Sequence, residues 1–585
     1  MIIRESNGGK YVVFEPEDSK ERTYLENFPG LLKEGLQYFS PSKRPIVQNL
    51  YQRLLKQRKN LRYTPYVKDL TEKTLPLREL PVGFSFFTKP LPFQEIALRF
   101  AYTYENIGLL LEPGLGKTKV VLDYIYLMDF QLSLIVPPKA LMNVWVSEAK
   151  KHRPELEVFV VESTDWEKEL NKFRLSKARV LVINYDKIST LLESLQKLPI
   201  EFIGLDEGLI KNYRTDRTKA LTTLSRGIPN RMIMSGTLVN NSPLDVFSPV
   251  RFIEPSLIGT SVTKFKDRYA ILNSKNKNIV LGFRDVPEIR SILAACSIVM
   301  KKSEWLSSLP KKVFHEIHVQ LGDKQRDYYQ QLSGNYLIID KEIDFELEVD
   351  SPLVVLTKLI QISNGFLYYK DPDEESNLDF DLEELEGRIT KKKKTPKRNT
   401  LTFLDQPKAD KLVELLLDPE RLLGKRAIIW FNMSEERNII ERRLTDSGIT
   451  FLTIAGGDKG ITNKVDRFNN DPSIGYLLCQ AKSLNYGFTI LGNQQENDEE
   501  SEEYFSFEPQ VNNEVFYSLN FSLEIYLQQQ DRIHRIGQTN ECHYWIILAN
   551  TSVDKRVHTL LENKLSCNRE ILVDISKSAK LDDWV

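Results

Sequence analysis

Residues 107–119 read IGLLLEPGLGKTK. A short apolar run passes into a glycine-containing turn, and the turn into a stretch that predicts a helix from Lys117 to about Met128. That order builds a phosphate cradle. Gly114 and Gly116, with Leu115 between them, let the backbone approach oxygen anions, and the N–H groups at the helix start point at them. Lys117 supplies a point charge for the β- and γ-phosphates, and Thr118 offers a hydroxyl to magnesium. The glycine that opens the usual form of this motif is replaced by Leu111.

Downstream, the apolar run EFIGL (201–205) ends in Asp206 and Glu207. Acids at the carboxyl end of a parallel strand stand where open α/β sheets bind ligands. One carboxylate can join a magnesium shell, and the next can orient or deprotonate water. Alone, such a pair is more often a surface turn; after a phosphate loop it reads as catalytic. Far along the chain, QQQDRIHRIGQ (528–538) spaces Arg532 and Arg535 three apart, which predicts that both lie on one face of a helix. Paired arginines suit the charge that develops on a transferring phosphoryl group.

Around these points the chain alternates buried-strand patterns with amphipathic ones. IGLLL, LSLIV, VLVINY, EFIGL and RMIMS fall between 85 and 240; RAIIWF, TFLTIA, GYLLC, EVFYSL and YWIILA fall between 401 and 550. Two mostly parallel α/β units are expected, separated by about 150 largely helical residues. The expected division is an N-terminal accessory region (1–84), a first unit (85–300) with a helical insertion after 240, a linker with a charged segment at 371–400, and a second unit (401–585). Residues 43–62 hold seven Lys/Arg and no acid, and read as a basic amphipathic helix. Residues 371–386 carry nine acids and are followed by KKKKTPKR; they read as a solvated insertion, as does the acidic segment 494–508.

Composition excludes several classes. Apolar residues make up 41% and charged residues 28% of 585, as in a folded protein. Lys and Arg number 80 against 81 Asp and Glu, so any polyanion site must be a local patch. The four cysteines, Cys296, Cys479, Cys542 and Cys567, form no CxxC pair, which argues against a disulfide scaffold or a zinc knuckle. No apolar run reaches 18 residues, so no membrane span is expected. His315 and His318 sit in a strand-like run and read as ordinary strand residues.

Together these stretches resemble the Swi/Snf-type ATPases of helicase superfamily two, through about residues 90–560. LPFQ (91–94) is similar to the adenine-reading motif, with Gln94 as reader. EPGLGKT (112–118) resembles the phosphate motif, and LIVPPKALMNVWVSEAKK (134–151) the following block, with Trp145 and Glu148 in place. DEGLIKN (206–212), continued by YRTDRTKA, is similar to the acidic motif and its extension. MSGTLVNNSPLDVFSPVRFI (234–253), MKKSEWLSSLPKKVFHEIHV (300–319), RAIIWFNMSEERNIIERRL (426–444) and QAKSLNYGFTI (480–490) resemble later blocks. The HRIGQ ending of 528–538 is the most specific match. Three departures stand out: Leu209 replaces a histidine, SGTL replaces SGTP, and the fifth motif keeps only Gly487 of a glycine pair.

The resemblance implies two RecA-like parallel-sheet lobes and a DNA-dependent ATPase using ATP and Mg2+. It implies nucleotide contacts at Gln94, Gly114, Leu115, Gly116, Lys117, Thr118, Gly487 and Gln528, metal contacts at Thr118 and Asp206, and catalytic roles for Lys117, Glu207, Arg532 and Arg535. Double-stranded DNA is the implied partner, and Lys211, Arg214, Lys219, Lys301 and Lys302 are the expected contacts. Two alternatives stay open: a strand-separating or fork-remodelling helicase, and a nucleotide-driven remodeller of a protein partner such as RNA polymerase. A monomer is expected, at the nucleoid if the source is bacterial or phage and in the nucleus if eukaryotic.

Overall fold

The computed structural model describes residues 77–563 and 565, apart from 164, 211, 237–241, 275–279, 307–308, 350–351, 370–398, 459, 484–489 and 493–509. It also describes the backbone of Ile2–Ser6, Tyr11–Glu15, Leu32–Glu34, Gln37–Ser40 and Arg62–Tyr63, which join in one five-stranded sheet. The expected basic helix at 43–62 lies outside these residues up to 61, and Arg62 pairs as a strand with Ile2. Both acidic segments and the KKKKTPKR string also lie outside them. The chain divides into two compact units between residues 307 and 308.

The first unit is built on seven parallel strands. Across the sheet they run Ser297–Met300, Ile107–Leu111, Asn230–Met234, Phe202–Asp206, Ser133–Val136, Val180–Val182 and Val158–Val160. Four of them, at 107, 133, 180 and 202, are buried at every position, which is why they read as unbroken apolar runs. Helices Pro92–Tyr104, Lys117–Leu127, Met142–His152 and Tyr185–Leu195 connect or flank them. The second unit holds six parallel strands, in the order Lys312–Val319, Cys542–Ala549, Val511–Phe516, Arg426–Phe431, Tyr476–Gln480 and Phe451–Ile454. Two RecA-like lobes, the expected fold class, are therefore present. No described helix is long and apolar enough to cross a membrane.

The stretch between the apolar clusters is less helical than expected. It carries the helices Phe247–Ile253, Val262–Tyr269, Val286–Cys296, Asp323–Asn335 and Pro352–Ser363, but also an edge strand for each sheet. Ser297–Met300 follows its helix with no turn residue between them, and pairs with Gly108–Leu111. Lys312–Val319 pairs along eight residues with Cys542–Ala549; from Phe314 onward it alternates exposed positions with covered ones, of which Ile317 and Val319 are buried. An edge strand needs only one covered face, so its composition, KVFHEIHV, lacks an apolar run. His315 and His318 lie in this strand, as expected.

One buried ion network fixes the approach to the phosphate loop. Asp123 accepts from Lys119 Nζ at 2.8 Å and from Arg153 Nε at 2.5 Å, and all three side chains are nearly fully buried. Arg153 also donates to the Ser85 carbonyl at 2.9 Å and lies over the rings of Phe84 and Tyr126. The segment leading to Gln94 is thereby pinned to the helix that begins with Lys117. Removing one member of a buried pair strands the other charge, at a cost of about 3–5 kcal/mol. Asp123→Ala should therefore lower the melting temperature markedly; a variant that melts with the wild type would reject this role for the network.

Candidate nucleotide-binding site

The loop after Ile107–Leu111 bends where two glycines permit it. Gly114 and Gly116 have φ of +89° and +79°, values that side chains with a Cβ rarely adopt. Gly116 is also crowded, since a Cβ there would run into Gln94 Nε2. The helix Lys117–Leu127 starts on Gly116 with no side-chain cap, so its first N–H groups are available to an anion. Leu115, expected among the nucleotide contacts, is buried and its carbonyl accepts from Gln94 Nε2 at 3.1 Å. Gln94 Oε1 accepts from the Leu91 N–H at 3.0 Å. Both ends of the Gln94 amide are thus committed, one to the start of its own helix and one to the loop.

Across the sheet, Phe202–Asp206 lies one strand away from Ile107–Leu111, with Asn230–Met234 between them. Asp206 Oδ2 accepts from Trp145 Nε1 at 3.1 Å, and its backbone carbonyl accepts from the Tyr185 hydroxyl at 2.8 Å. Glu207 and Gly208 follow in the left-handed region, at φ +59° and +54°. This reversal turns Glu207 back toward the loop, where its Oε1 stands 3.7 Å from Lys117 Nζ. Lys117 Nζ also reaches the Leu111 carbonyl at 3.4 Å. Burial, with the Glu207 charge beside it, pushes the Asp206 carboxyl up to about 7.

Two neighbouring acids, one desolvated, form a donor set that favours a cation. Among the described residues no group of three His, Cys, Asp or Glu could hold a metal alone. Magnesium binds through one or two protein oxygens and completes its shell with phosphate and water. Asp206 and the half-buried Thr118 are the residues that fit.

In the second unit the arginines are not where their spacing suggested. The helix Leu523–Gln530 ends before them, and 531–537 runs as successive turns. Within these turns Ile533 is fully buried in the core and Gln538 is buried beyond it. Gln538 Nε2 donates to the Val511 carbonyl at 3.0 Å and to the Ile533 carbonyl at 3.2 Å, across a turn that needs Gly537 at φ +100°. Arg532 is buried and folds back so that its Nε donates to the Gln528 carbonyl at 3.1 Å, while Arg535 is half-buried. Gln528 is itself buried, and among the described residues its Oε1 has no hydrogen-bond partner.

Comparison with known proteins bears on this arrangement. A profile of the SNF2-related domain matches residues 57–366, more than half of the chain. The chain belongs to the SNF2-related family. That membership bears out the resemblance to the Swi/Snf-type ATPases of helicase superfamily two. TATA-binding protein-associated factor MOT1 of Saccharomyces cerevisiae is 24% identical over 80% of this chain and 26% of its own length. Protein CHROMATIN REMODELING 4 of Arabidopsis thaliana is 23% identical over 88% of this chain and 22% of its own. The chain thus spans about a quarter of these relatives. The SWI2/SNF2 ATPase core of Sulfolobus solfataricus, solved in complex with dsDNA, aligns over 86% of this chain and 96% of its own, at 19% identity and a TM-score of 0.36.

The residues expected to meet DNA part company in the structure of this SNF2-related protein. Arg214 and Lys219 are exposed; Lys219 stands 3.4 Å from Asp216. Lys301 is mostly covered, 3.9 Å from Glu304. Lys302 is 4% exposed and so cannot offer its charge to a phosphate backbone. Its place at the start of a short helix, against the core, outweighs its type. Lys211 and Gly487 lie outside the described residues.

Sequence reading missed Tyr185 and Glu514. Tyr185 steadies the acid pair from 21 residues away. Glu514 is fully buried; burial holds its carboxyl well above the usual range, and Oε2 accepts from Trp430 Nε1 at 3.0 Å. An acid opening the apolar run EVFYSL was the available signal.

The raised Asp206 carboxyl has a thermodynamic consequence. Its folded value lies above the unfolded one, so the folded protein holds the proton between about pH 4 and 7, and stability falls as pH rises through that window. Asp206→Asn should remove this dependence: without nucleotide or metal, the variant should melt above the wild type at pH 8 and close to it at pH 4. A melting temperature at pH 8 equal to or below that of the wild type would reject the assignment.

Proposed function

We propose that this protein couples Mg-ATP hydrolysis to movement along double-stranded DNA, as a translocase or remodeller of protein–DNA complexes. The observation that carries the reading is the convergence of Lys117, Asp206 and Glu207 at the carboxyl edge of one parallel sheet. In this reading Gly114, Leu115, Gly116 and the start of the following helix receive the phosphates, and Lys117 leaves Glu207 to meet the β- and γ-phosphates. Magnesium, when bound, supplies charge neutralisation between those phosphates. Thr118 and Asp206 hold it, and the Trp145 and Tyr185 hydrogen bonds keep Asp206 in place. Glu207 orients the attacking water and takes its proton.

Gln94, at the head of the helix Pro92–Tyr104, selects the base, and releases one of its two hydrogen bonds to do so. Gln528, with its unsatisfied buried oxygen, and Gly487 belong to the nucleotide set of the second unit. Arg532 and Arg535 meet the transition-state charge from that unit. DNA contacts fall to Lys211, Arg214, Lys219 and Lys301. Relatives named for association with TATA-binding protein support a nucleoprotein target and, in a eukaryotic source, a nuclear one.

Side-by-side turnover with no nucleic acid, single-stranded DNA, duplex DNA and RNA tests the reading. Duplex DNA should stimulate most, and triplex-strand displacement should occur on an intact duplex. Stimulation only by a protein partner, or unwinding of forks without triplex displacement, would reject it for one of the two alternatives. DNA affinity should fall linearly with the logarithm of salt concentration, and a flat response would exclude a phosphate-backbone path.

Lys117→Ala and Glu207→Gln should each abolish turnover, the second while still binding ATP, as measured by hydrolysis and by nucleotide titration. Arg532→Ala or Arg535→Ala should lower kcat by about 10³-fold or more with little change in ATP affinity. Loss of affinity alone would rule out their role in the transition state.

A further inference from the structure

Glu112 opens the phosphate loop, yet its carboxylate is committed elsewhere. Its Oε2 accepts the backbone N–H of Lys302 at 2.7 Å, across 190 residues of sequence. Its own N–H donates to the Met300 carbonyl at 3.1 Å, which extends the pairing of Leu111 with Met300. Lys302 begins the short helix Lys302–Trp305, whose preceding residue, Lys301, makes no side-chain cap. A lysine has no acceptor with which to cap. The phosphate loop therefore supplies the cap that the local sequence lacks.

The same helix touches the second nucleotide element. The Trp305 ring lies 5.8 Å from that of Phe93, the buried neighbour of Gln94. Residues 300–306 are thus stitched both to the loop carrying Lys117 and to the helix carrying Gln94. They are also the last described stretch before the chain passes into the second unit at 307–308.

We propose that Glu112 is a positioning residue that passes the state of the nucleotide site to the segment Met300–Trp305, and through it to the connection between the lobes. The inference rests on reading the site as a nucleotide site. Its physical basis is charge. A triphosphate seated at Gly114 and Gly116 brings several negative charges to within two residues of the Glu112 carboxylate. Like charges at that range repel, and a charge-assisted hydrogen bond to a backbone N–H responds to the field around its acceptor. Nucleotide binding therefore changes the strength with which Lys302 is held, and loss of the γ-phosphate on hydrolysis lessens the change. Pro113 adds stiffness on the other side of the loop, because it packs so closely on Gly236 that a Cβ there would meet Pro113 Cδ at 2.8 Å.

Hydrogen exchange of the intact chain tests this, with Mg-ADP and with a non-hydrolysable ATP analogue, each at a concentration shown to saturate the protein used. In the wild type, exchange at amides 302–306 should differ between the two nucleotide states by about 5–150-fold. Glu112→Ala should remove that difference, and Glu112→Gln, whose neutral amide oxygen still accepts the N–H, should keep exchange at 302–306 low in both states while losing most of the difference; a Glu112→Gln variant that keeps the full difference would also overturn the proposal. A purely structural contact would raise exchange in Glu112→Ala equally in both states and leave the difference intact, which would overturn the proposal. So would a wild type in which amides 114–120 respond to nucleotide and 302–306 do not. If neither segment responds, the nucleotide-site reading itself fails and takes this inference with it.

Discussion

Two carboxylates on consecutive residues, one buried at the end of a parallel strand, set the terms for the first lobe. Asp206 and Glu207 repel one another, and Asp206 has lost most of its water. The arrangement persists because its surroundings offset that cost. Trp145 and Tyr185 donate to Asp206, and Lys117 approaches Glu207 from the neighbouring loop. The strand order brings these elements together, with a single strand between the loop and the acids. A parallel sheet is thus a requirement of the chemistry as well as a scaffold: only parallel strands deliver both carboxyl ends to the same edge.

The parts legible in the sequence are those in which local pattern and final environment coincide. IGLLLEPGLGKTK is strand, turn and helix because its apolar run is buried on both faces and its glycines sit at positive φ. Partners that converge from a distance are a different matter. Nothing near Asp206 announces Tyr185, since topology alone brings the two together, and Trp145 stands out only through the motif block that carries it. The spacing of Arg532 and Arg535 fitted a helix, but the burial of Ile533 and the docking of Gln538 ended it sooner. Lys302 illustrates the limit of reading charge from residue type. Its charge follows from its type, and the packing of a short helix on the core decides that it is buried.

HRIGQ is a case in which a distinctive string turns out to have a structural share. Its glutamine spends its amide on two carbonyls of the second lobe, and its glycine supplies a backbone angle that other residues avoid. These two residues shape the turns on which the arginines are carried. The specificity of the string thus reflects geometry at Gly537 and Gln538 as much as reactivity at Arg532 and Arg535.

The backbone at Glu207 has a consequence for how such a protein can change over time. A glutamate held at φ +59° is strained by about 1–3 kcal/mol, and the residue before it is a carboxylate that burial disfavours. Both positions would be cheaper to fold as something else. Selection for heat resistance alone would erode this turn before most of the molecule, and laboratory lineages bred only for robustness should lose their acids here while keeping their shape.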